Sequence, residues 1–180
     1  MKFKSVPAIP TAAAEKALDL PRLLIYSHDT FGLGHFRRCL KIAKAFNFSY
    51  PESSILLVTG QPQAEHYRLP EGTDFIKLPA VVKVGDNRYR PRSLGNSFAQ
   101  IFELRQNLIF EAVHSFRPHI LLVDHAPIGM KGEIKKTLLE LKGEKNSPAL
   151  LLGLRDILDE PEKVCAAWKL EGVYPVLEEV

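Results

Sequence analysis

Five short segments made largely of apolar residues alternate along this chain with longer segments whose apolar residues recur at helical spacing. The apolar segments are residues 22–26, 54–59, 74–78, 120–123 and 149–153. Strands that are apolar on both faces are typical of parallel sheets covered by helices, and the crossovers between such strands are right-handed. The pattern therefore predicts an α/β fold with a doubly wound, Rossmann-like parallel sheet in the strand order 3-2-1-4-5.

The segments between the strands predict four helices and one long loop. The first helix begins near residue 34, and the other three extend over residues 98–116, 131–141 and 161–169. The longest one has an apolar stripe formed by Ile101, Leu104, Leu108, Ala112 and Val113. Residues 83–97 are polar and longer than a simple connection needs, which predicts a binding loop that is mobile without its ligand.

Composition limits the class of protein. The chain has 180 residues, 46% of them hydrophobic and 25% charged, which is enough for one α/β domain with a sizeable core. We expect a mobile tail over residues 1–20 and this domain over residues 21–180. The net charge of +3 is too small to indicate a nucleic-acid-binding protein, and no apolar run reaches the length of a membrane span.

The two cysteines and the amino-terminal residues indicate a compartment. Cys39 and Cys165 fall in predicted helices and lack the spacing of a metal or redox motif. No apolar region of a secretion signal follows the first basic residues. We therefore expect two reduced thiols, in or near the core of a cytoplasmic protein.

A glycine-bearing turn joins the first strand to the first helix. Its sequence over residues 27–35 is Ser-His-Asp-Thr-Phe-Gly-Leu-Gly-His. Glycine permits close backbone approach, and the amides of a helix start suit an anion, so a phosphate is expected at Gly32, Leu33 and Gly34. The third glycine of the dinucleotide fingerprint is replaced by Arg37, and a nicotinamide cofactor is therefore not expected.

His35 is the first candidate for chemistry, because it lies in the first turn of the predicted helix. The helix dipole disfavours an imidazolium there and leaves the ring available as a base, while the alternative is that the ring only caps or packs. Arg37 and Arg38 oppose the same dipole, which indicates either an anionic partner or solvent exposure.

Asp124 is the second candidate, since it follows the fourth strand. Strands 1 and 4 are expected to be neighbours where the winding reverses, which puts Asp124 opposite His35. A carboxylate on one imidazole nitrogen would fix the tautomer and stabilise the imidazolium formed by proton abstraction. The alternative is a turn residue. His28 and His125 adjoin the same strand ends, where they act as acceptor-binding or simple lining residues.

Four cations fall within the predicted loop, at Lys83, Arg88, Arg90 and Arg92. Such a group suits an anionic lipid headgroup, a phosphate or an acidic sugar. A solvated loop without a ligand is the alternative.

At these motifs the chain resembles the N-terminal domain of GT-B glycosyltransferases, and most closely the predicted glycosyltransferases related to the MurG-like family. The run over residues 27–35 and the run Gly-Leu-Arg-Asp-Ile over residues 153–157 carry the resemblance, which extends from residue 22 to about residue 165. It implies inverting transfer of a sugar from a nucleotide-sugar co-substrate to a hydroxyl acceptor of anionic or lipid-linked type. No cofactor besides this co-substrate is expected, and no metal.

The resemblance also assigns roles to residues. It implies that His35 is a base or a donor-contacting histidine and that Asp124 is its carboxylate partner. The donor phosphate is then expected at residues 32–34, and the acceptor at Arg88, Arg90, Arg92, His28 and His125. Members of this family have a second, C-terminal domain that supplies most of the donor site. We therefore expect residues 1–180 to be an acceptor-side half that is inactive until that domain is supplied in cis or in trans, in the cytoplasm or at the inner face of the membrane.

Two other functions fit the same motifs. A nucleotide-sugar hydrolase of the pseudaminic-acid pathway type joins a similar Gly-x-Gly-His loop to an Arg-Cys-Leu helix, and water then replaces the acceptor. A non-catalytic domain that binds a ligand or partner is the third option, and it gains weight if His35 and Asp124 are far apart.

Overall fold

The structure is a computed structural model, and it describes residues 20–28, 33–85, 88–154 and 160–180. These residues form seven strands and five α-helices. The strands are β1 (Arg22–Ser27), β2 (Ser54–Thr59), β3 (Thr73–Lys77), β4 (Val81–Gly85), β5 (Arg88–Pro91), β6 (Ile120–Asp124) and β7 (Ala149–Gly153). The helices are α1 (Gly34–Ser49), α2 (Phe98–Phe116), α3 (Lys135–Leu141), α4 (Pro161–Glu171) and α5 (Val173–Glu179). The predicted tail over residues 1–20 lies outside the described residues, apart from Leu20.

The central sheet has the order β3-β2-β1-β6-β7, with every pair parallel. In the numbering of the five predicted strands this is the order 3-2-1-4-5, so both the fold class and the order are confirmed. The winding reverses between β1 and β6, and the carboxyl ends of these two strands are therefore neighbours.

The central strands β1, β2 and β6 are buried on both faces, since successive side chains of a strand point in opposite directions and each face is covered. The edge strands β3 and β7 are partly exposed. Ile25 lies in a core with Phe36, Cys39 and Ala43 of α1. Tyr26, the next residue, lies in a second core on the other face, with side chains of α2, α3 and α5. The two cores explain why the strands read as continuous apolar runs in the sequence.

The predicted loop over residues 83–97 is wrong for its first part. Val81–Gly85 and Arg88–Pro91 pair as an antiparallel hairpin, whose residues 86 and 87 lie outside the described part. Tyr89 packs with Val81 and the α2 residue Ile101 in a small third core. Valine and tyrosine favour strands, and this packing outweighs the polar composition of the segment. Residues 92–97 remain without helix or strand.

Helix α2 has the predicted bounds. Its first turn is closed by a capping box, in which Ser97 and Gln100 satisfy each other's backbone amides. The predicted stripe is wrong at Leu104, whose side chain is 43% exposed, while the neighbouring Arg105 is fully buried. A buried arginine requires a buried partner, and Arg105 has one in Glu133.

The later helices differ from prediction at their ends. The segment predicted to be helical from residue 131 begins with a 3-10 turn, Met130–Gly132, in which Lys131 has a left-handed backbone, and α3 starts only at Lys135. Gly172 ends α4 with φ of 68° and allows the unpredicted α5 to follow. Cys39 is buried as expected, but Cys165 is exposed, so its prediction as a core thiol is wrong.

Candidate active site

His35 and Asp124 meet at the carboxyl edge of the sheet. Helix α1 begins at Gly34 and carries His35 in its first turn, while Asp124 is the last residue of β6. The imidazole Nδ1 lies 2.8 Å from the carboxylate Oδ2. The Asp124 side chain is 1% exposed and that of His35 is 14% exposed. The predicted proximity is therefore confirmed, whereas the catalytic roles of the two residues stay predictions.

Arg38 completes the site from the next turn of α1. Its Nε donates to Oδ1 of Asp124 at 2.9 Å, and its Nη2 contacts the same oxygen. Nη2 also donates to the carbonyl of Gly153 at 2.8 Å, at the end of β7. We call His35, Asp124 and Arg38 the edge cluster. Sequence reasoning did not place Arg38 in the site, although its unfavourable position at the start of a helix was a signal.

The electrostatics of the edge cluster keep Asp124 ionised. Burial by itself raises the pKa of this carboxyl, but the hydrogen bonds and charges of His35 and Arg38 together outweigh burial and hold the pKa below its ordinary value. An ionised carboxylate can only accept, so the proton between His35 and Asp124 belongs to Nδ1. The other ring nitrogen, Nε2, is then the one that can take a proton from a hydroxyl.

Three imidazoles gather beside the edge cluster. The ring centroids of His28 and His35 are 5.3 Å apart, those of His28 and His125 are 5.5 Å apart, and those of His35 and His125 are 4.8 Å apart. His28 follows β1 and His125 follows β6, so neighbouring strands bring them to one place. The structure thus collects both predicted lining histidines around His35. Their proposed contact with an acceptor stays a prediction.

The glycine loop is described only at its end. Gly32 lies outside the described residues. Leu33 is the N-cap residue of α1 without a capping side chain, and Gly34 is exposed. A Cβ atom placed on Gly34 would meet nothing within 4 Å, so space around the backbone is open at this position. The phosphate role of residues 32–34 stays a prediction.

The predicted arginines lie on the hairpin. Arg88 and Arg90 alternate with Tyr89 along β5 and are exposed, while Tyr89 packs inward against the small third core. Arg92 follows β5, and its amide donates to the carbonyl of Ala80 at 2.9 Å. Within the described residues, no hydrogen bond or ion pair joins these arginines to the edge cluster. They form a separate basic surface.

Cys39 lies one turn after His35 on α1 and is fully buried. Burial, together with the nearby charge of Asp124, raises the pKa of its thiol to about 12. The thiol is therefore protonated at neutral pH and is not a nucleophile.

The described residues contain no group of three His, Cys, Asp or Glu side chains arranged to hold a metal ion. Among the helices of the described part, none combines the length and the apolar character that crossing a membrane needs.

Comparison with known proteins finds similarity to solved structures. No protein-family model matches the chain. No curated protein matches it either. Among solved structures it is similar to a UGT transferase from Siraitia grosvenorii in complex with UDP, with 19% sequence identity and a TM-score of 0.41. The match covers 65% of this chain and 24% of that chain, so this chain spans about a quarter of the transferase.

Proposed function

We propose that this chain is the acceptor-side half of a GT-B glycosyltransferase, which transfers a sugar from a nucleotide-sugar donor to a hydroxyl group with inversion. The observation that carries the proposal is the hydrogen bond of 2.8 Å between His35 and Asp124 at the edge where β1 and β6 end. Ligands of open α/β sheets bind at this switch point. The resemblance of residues 27–35 and 153–157 to the predicted glycosyltransferases of the MurG-like group supports the same function.

The chemistry follows from the edge cluster. The acceptor hydroxyl gives its proton to Nε2 of His35 as its oxygen attacks the anomeric carbon of the donor sugar. The bond from that carbon to the nucleoside diphosphate breaks with its electron pair on the leaving phosphate oxygen. A single displacement of this kind inverts the anomeric configuration. Asp124 stabilises the imidazolium that forms, and Arg38 keeps the carboxylate ionised and fixed.

The basic surface of the hairpin is proposed as the acceptor side. Arg88, Arg90 and Arg92 carry three charges that suit an anionic or lipid-linked acceptor. A chain of this kind would act in the cytoplasm, at the inner face of the membrane, where such acceptors are presented. The donor needs walls and exclusion of water, for which we propose a second Rossmann-like domain in cis or in trans.

The test compares the purified chain with the chain joined to the C-terminal donor domain of a GT-B enzyme that has the same glycine-loop motif. Radiolabelled UDP-sugars and a lipid-linked hydroxyl acceptor are the probes. We expect no turnover by the chain itself and transfer by the two-domain protein. His35→Ala should then reduce transfer by roughly 10²- to 10⁴-fold, the contribution of a positioned general base. His66→Ala is the matched control, because His66 is 71% exposed and lies outside the edge cluster.

The outcomes separate the alternatives. Release of UDP at the same rate with and without acceptor would identify the nucleotide-sugar hydrolase. Robust turnover by the isolated chain would overturn the half-enzyme proposal. If the two-domain protein binds the acceptor but shows no turnover, the glycosyltransferase proposal is wrong and the chain is a non-catalytic binding domain.

A further inference from the structure

The backbone at His125 is unusual. Its φ is 68°, a left-handed conformation that residues other than glycine rarely adopt. The chain turns here directly after Asp124, and the amide of His125 donates to the carbonyl of Gly153 at 2.9 Å, which fixes the turn to the end of β7. The turn brings the His125 ring to 4.8 Å from the His35 ring, with the two planes inclined by 38°.

A left-handed backbone at a residue with a Cβ is strained, and such strain persists where the surroundings hold it and often marks a functional site. Glycine would adopt this turn without strain. The histidine side chain at position 125 therefore carries a backbone cost, and glycine would remove its ring contacts with His35 and His28.

The His35 ring needs more than Asp124 to be fixed. One hydrogen bond at Nδ1 defines the tautomer, but it leaves the ring able to tilt about that bond. His125 meets the ring at a tilted angle of 38°, and His28 meets it nearly edge-on at 75°. Contacts on the ring itself restrict this tilt and hold Nε2 in one direction, as a base requires.

We propose that His125 is a positioning residue for His35: its ring, carried into the site by a left-handed turn, packs on the His35 imidazole and fixes its orientation. The role belongs to the flat ring and not to the nitrogens of His125. This inference rests on the proposed base function of His35, and it deepens that function by adding a residue that acts through His35.

The test is the pair His125→Gly and His125→Phe in the full 180-residue chain. Glycine keeps the left-handed turn and removes the ring, whereas phenylalanine keeps a flat ring and removes the nitrogens. The readout is the ¹⁵N-edited NMR signal of the His35 Nδ1 proton and its exchange rate with water, with assignment from His35→Gln. This measurement needs neither donor nor acceptor, so its result is independent of whether the protein transfers sugar.

We expect the Nδ1 proton to exchange roughly five- to ten-fold faster in His125→Gly, since an aromatic contact that limits opening is lost. His125→Phe should stay within about two-fold of the native chain. In the two-domain protein, His125→Gly should lower kcat at saturating acceptor, because the orientation of the base is lost. His66→Ala should change none of these values.

Two results would overturn the inference. One is an unchanged exchange rate in His125→Gly, and the other is a His125→Phe that exchanges as fast as His125→Gly, which would assign the role to the nitrogens. If His125→Gly does not fold, His125→Asn replaces it in the comparison with His125→Phe, because asparagine also adopts a left-handed backbone and has no ring. A positive NMR result with no sugar transfer by the two-domain protein would count against the proposed function and leave the contact established.

Discussion

Two clusters in this protein hold a buried carboxylate against an arginine, and they differ in what else the carboxylate contacts. In the core cluster (Tyr26, Arg105 and Glu133), both oxygens of Glu133 accept from Arg105, each at 2.7 Å, and one of them also accepts from the Tyr26 hydroxyl at 2.5 Å. In the edge cluster, Arg38 contacts one oxygen of Asp124 and His35 contacts the other.

The difference explains why one cluster is structural and the other is suited to chemistry. Arg105 and Glu133 are 0% exposed, and the remaining guanidinium nitrogen of Arg105 donates to the carbonyl of Pro79 at 2.8 Å. These contacts of Arg105 are with protein groups inside the core. The edge cluster gives one carboxylate oxygen to an imidazole that reaches the surface. In the edge cluster, a histidine contacts the carboxylate oxygen that a second nitrogen of the arginine contacts in the core cluster. Because an imidazole can take up a proton, this arrangement contains a candidate base.

The largest effect is expected from breaking the core cluster. Arg105→Met leaves the Glu133 carboxylate buried without its cation, which should lower the free energy of unfolding by about 3–5 kcal/mol in urea titrations. The double variant Arg105→Met/Glu133→Leu should recover most of the loss, because it removes both charges. Lys163→Met, in the exposed pair with Glu160, is the control and should change the value by less than about 1 kcal/mol. A loss of similar size in the single and double variants would show that packing, and not the unpaired charge, dominates.

A middle-sized effect is expected at the hairpin, where the charged side chains of Arg88, Arg90 and Arg92 are exposed. Arg88→Gln/Arg90→Gln/Arg92→Gln should weaken binding to phosphatidylglycerol vesicles by roughly ten-fold at low salt, since each exposed contact contributes little. It should also flatten the salt dependence of binding, because fewer charges are screened. Co-sedimentation measures both. The triple variant Lys142→Gln/Lys145→Gln/Lys169→Gln removes the same charge from other exposed positions. Equal binding by the native chain and the hairpin variant at low salt would exclude the basic surface as the acceptor side.

The smallest expected effect is the pH dependence of the free energy of unfolding that arises from Asp124. The pKa of Asp124 lies below its ordinary value in the folded chain, so the native state binds fewer protons at this carboxyl than the unfolded chain does. The contribution of this carboxylate to the free energy of unfolding is fully present at pH values above the ordinary pKa of an aspartate, about 3.9. That contribution is lost as the pH falls through the lower pKa of the folded state. The difference in unfolding free energy between the native chain and Asp124→Asn should therefore narrow as the pH is lowered below about 4. A difference that stays constant down to pH of about 3 would contradict the linkage.

Much of this fold could be predicted from the sequence, because its signals are local or general. The continuous apolar runs of β1, β2 and β6 exist because helices cover both faces of the sheet. The right-handed crossover limits the strand order to a few arrangements, of which 3-2-1-4-5 is a common one, without knowledge of any contact. With that common order, the sequence placed His35 and Asp124 at one edge, although they are 89 residues apart in the chain.

What remained was decided by tertiary contacts. Leu104 and Arg105 are adjacent on α2, and helical spacing favoured the leucine for the core. Arg105 is buried instead because Glu133, 28 residues away, satisfies its charge there. The hairpin formed from a polar segment because Tyr89 found a small core to pack against.

The edge cluster shows the same division between sequence and structure. The sequence by itself determined that an imidazole and a carboxylate meet at the switch point, since strand order depends on periodicity and chirality. Only the tertiary structure decided that Arg38 shares the carboxylate and that His125 turns back onto the imidazole. The position of Arg38 and the turn at His125 both depend on the end of β7. The Gly153 carbonyl at that end accepts hydrogen bonds from the Arg38 side chain and from the amide of His125. A hydrogen-bond partner more than a hundred residues away for Arg38 leaves no trace in local sequence spacing.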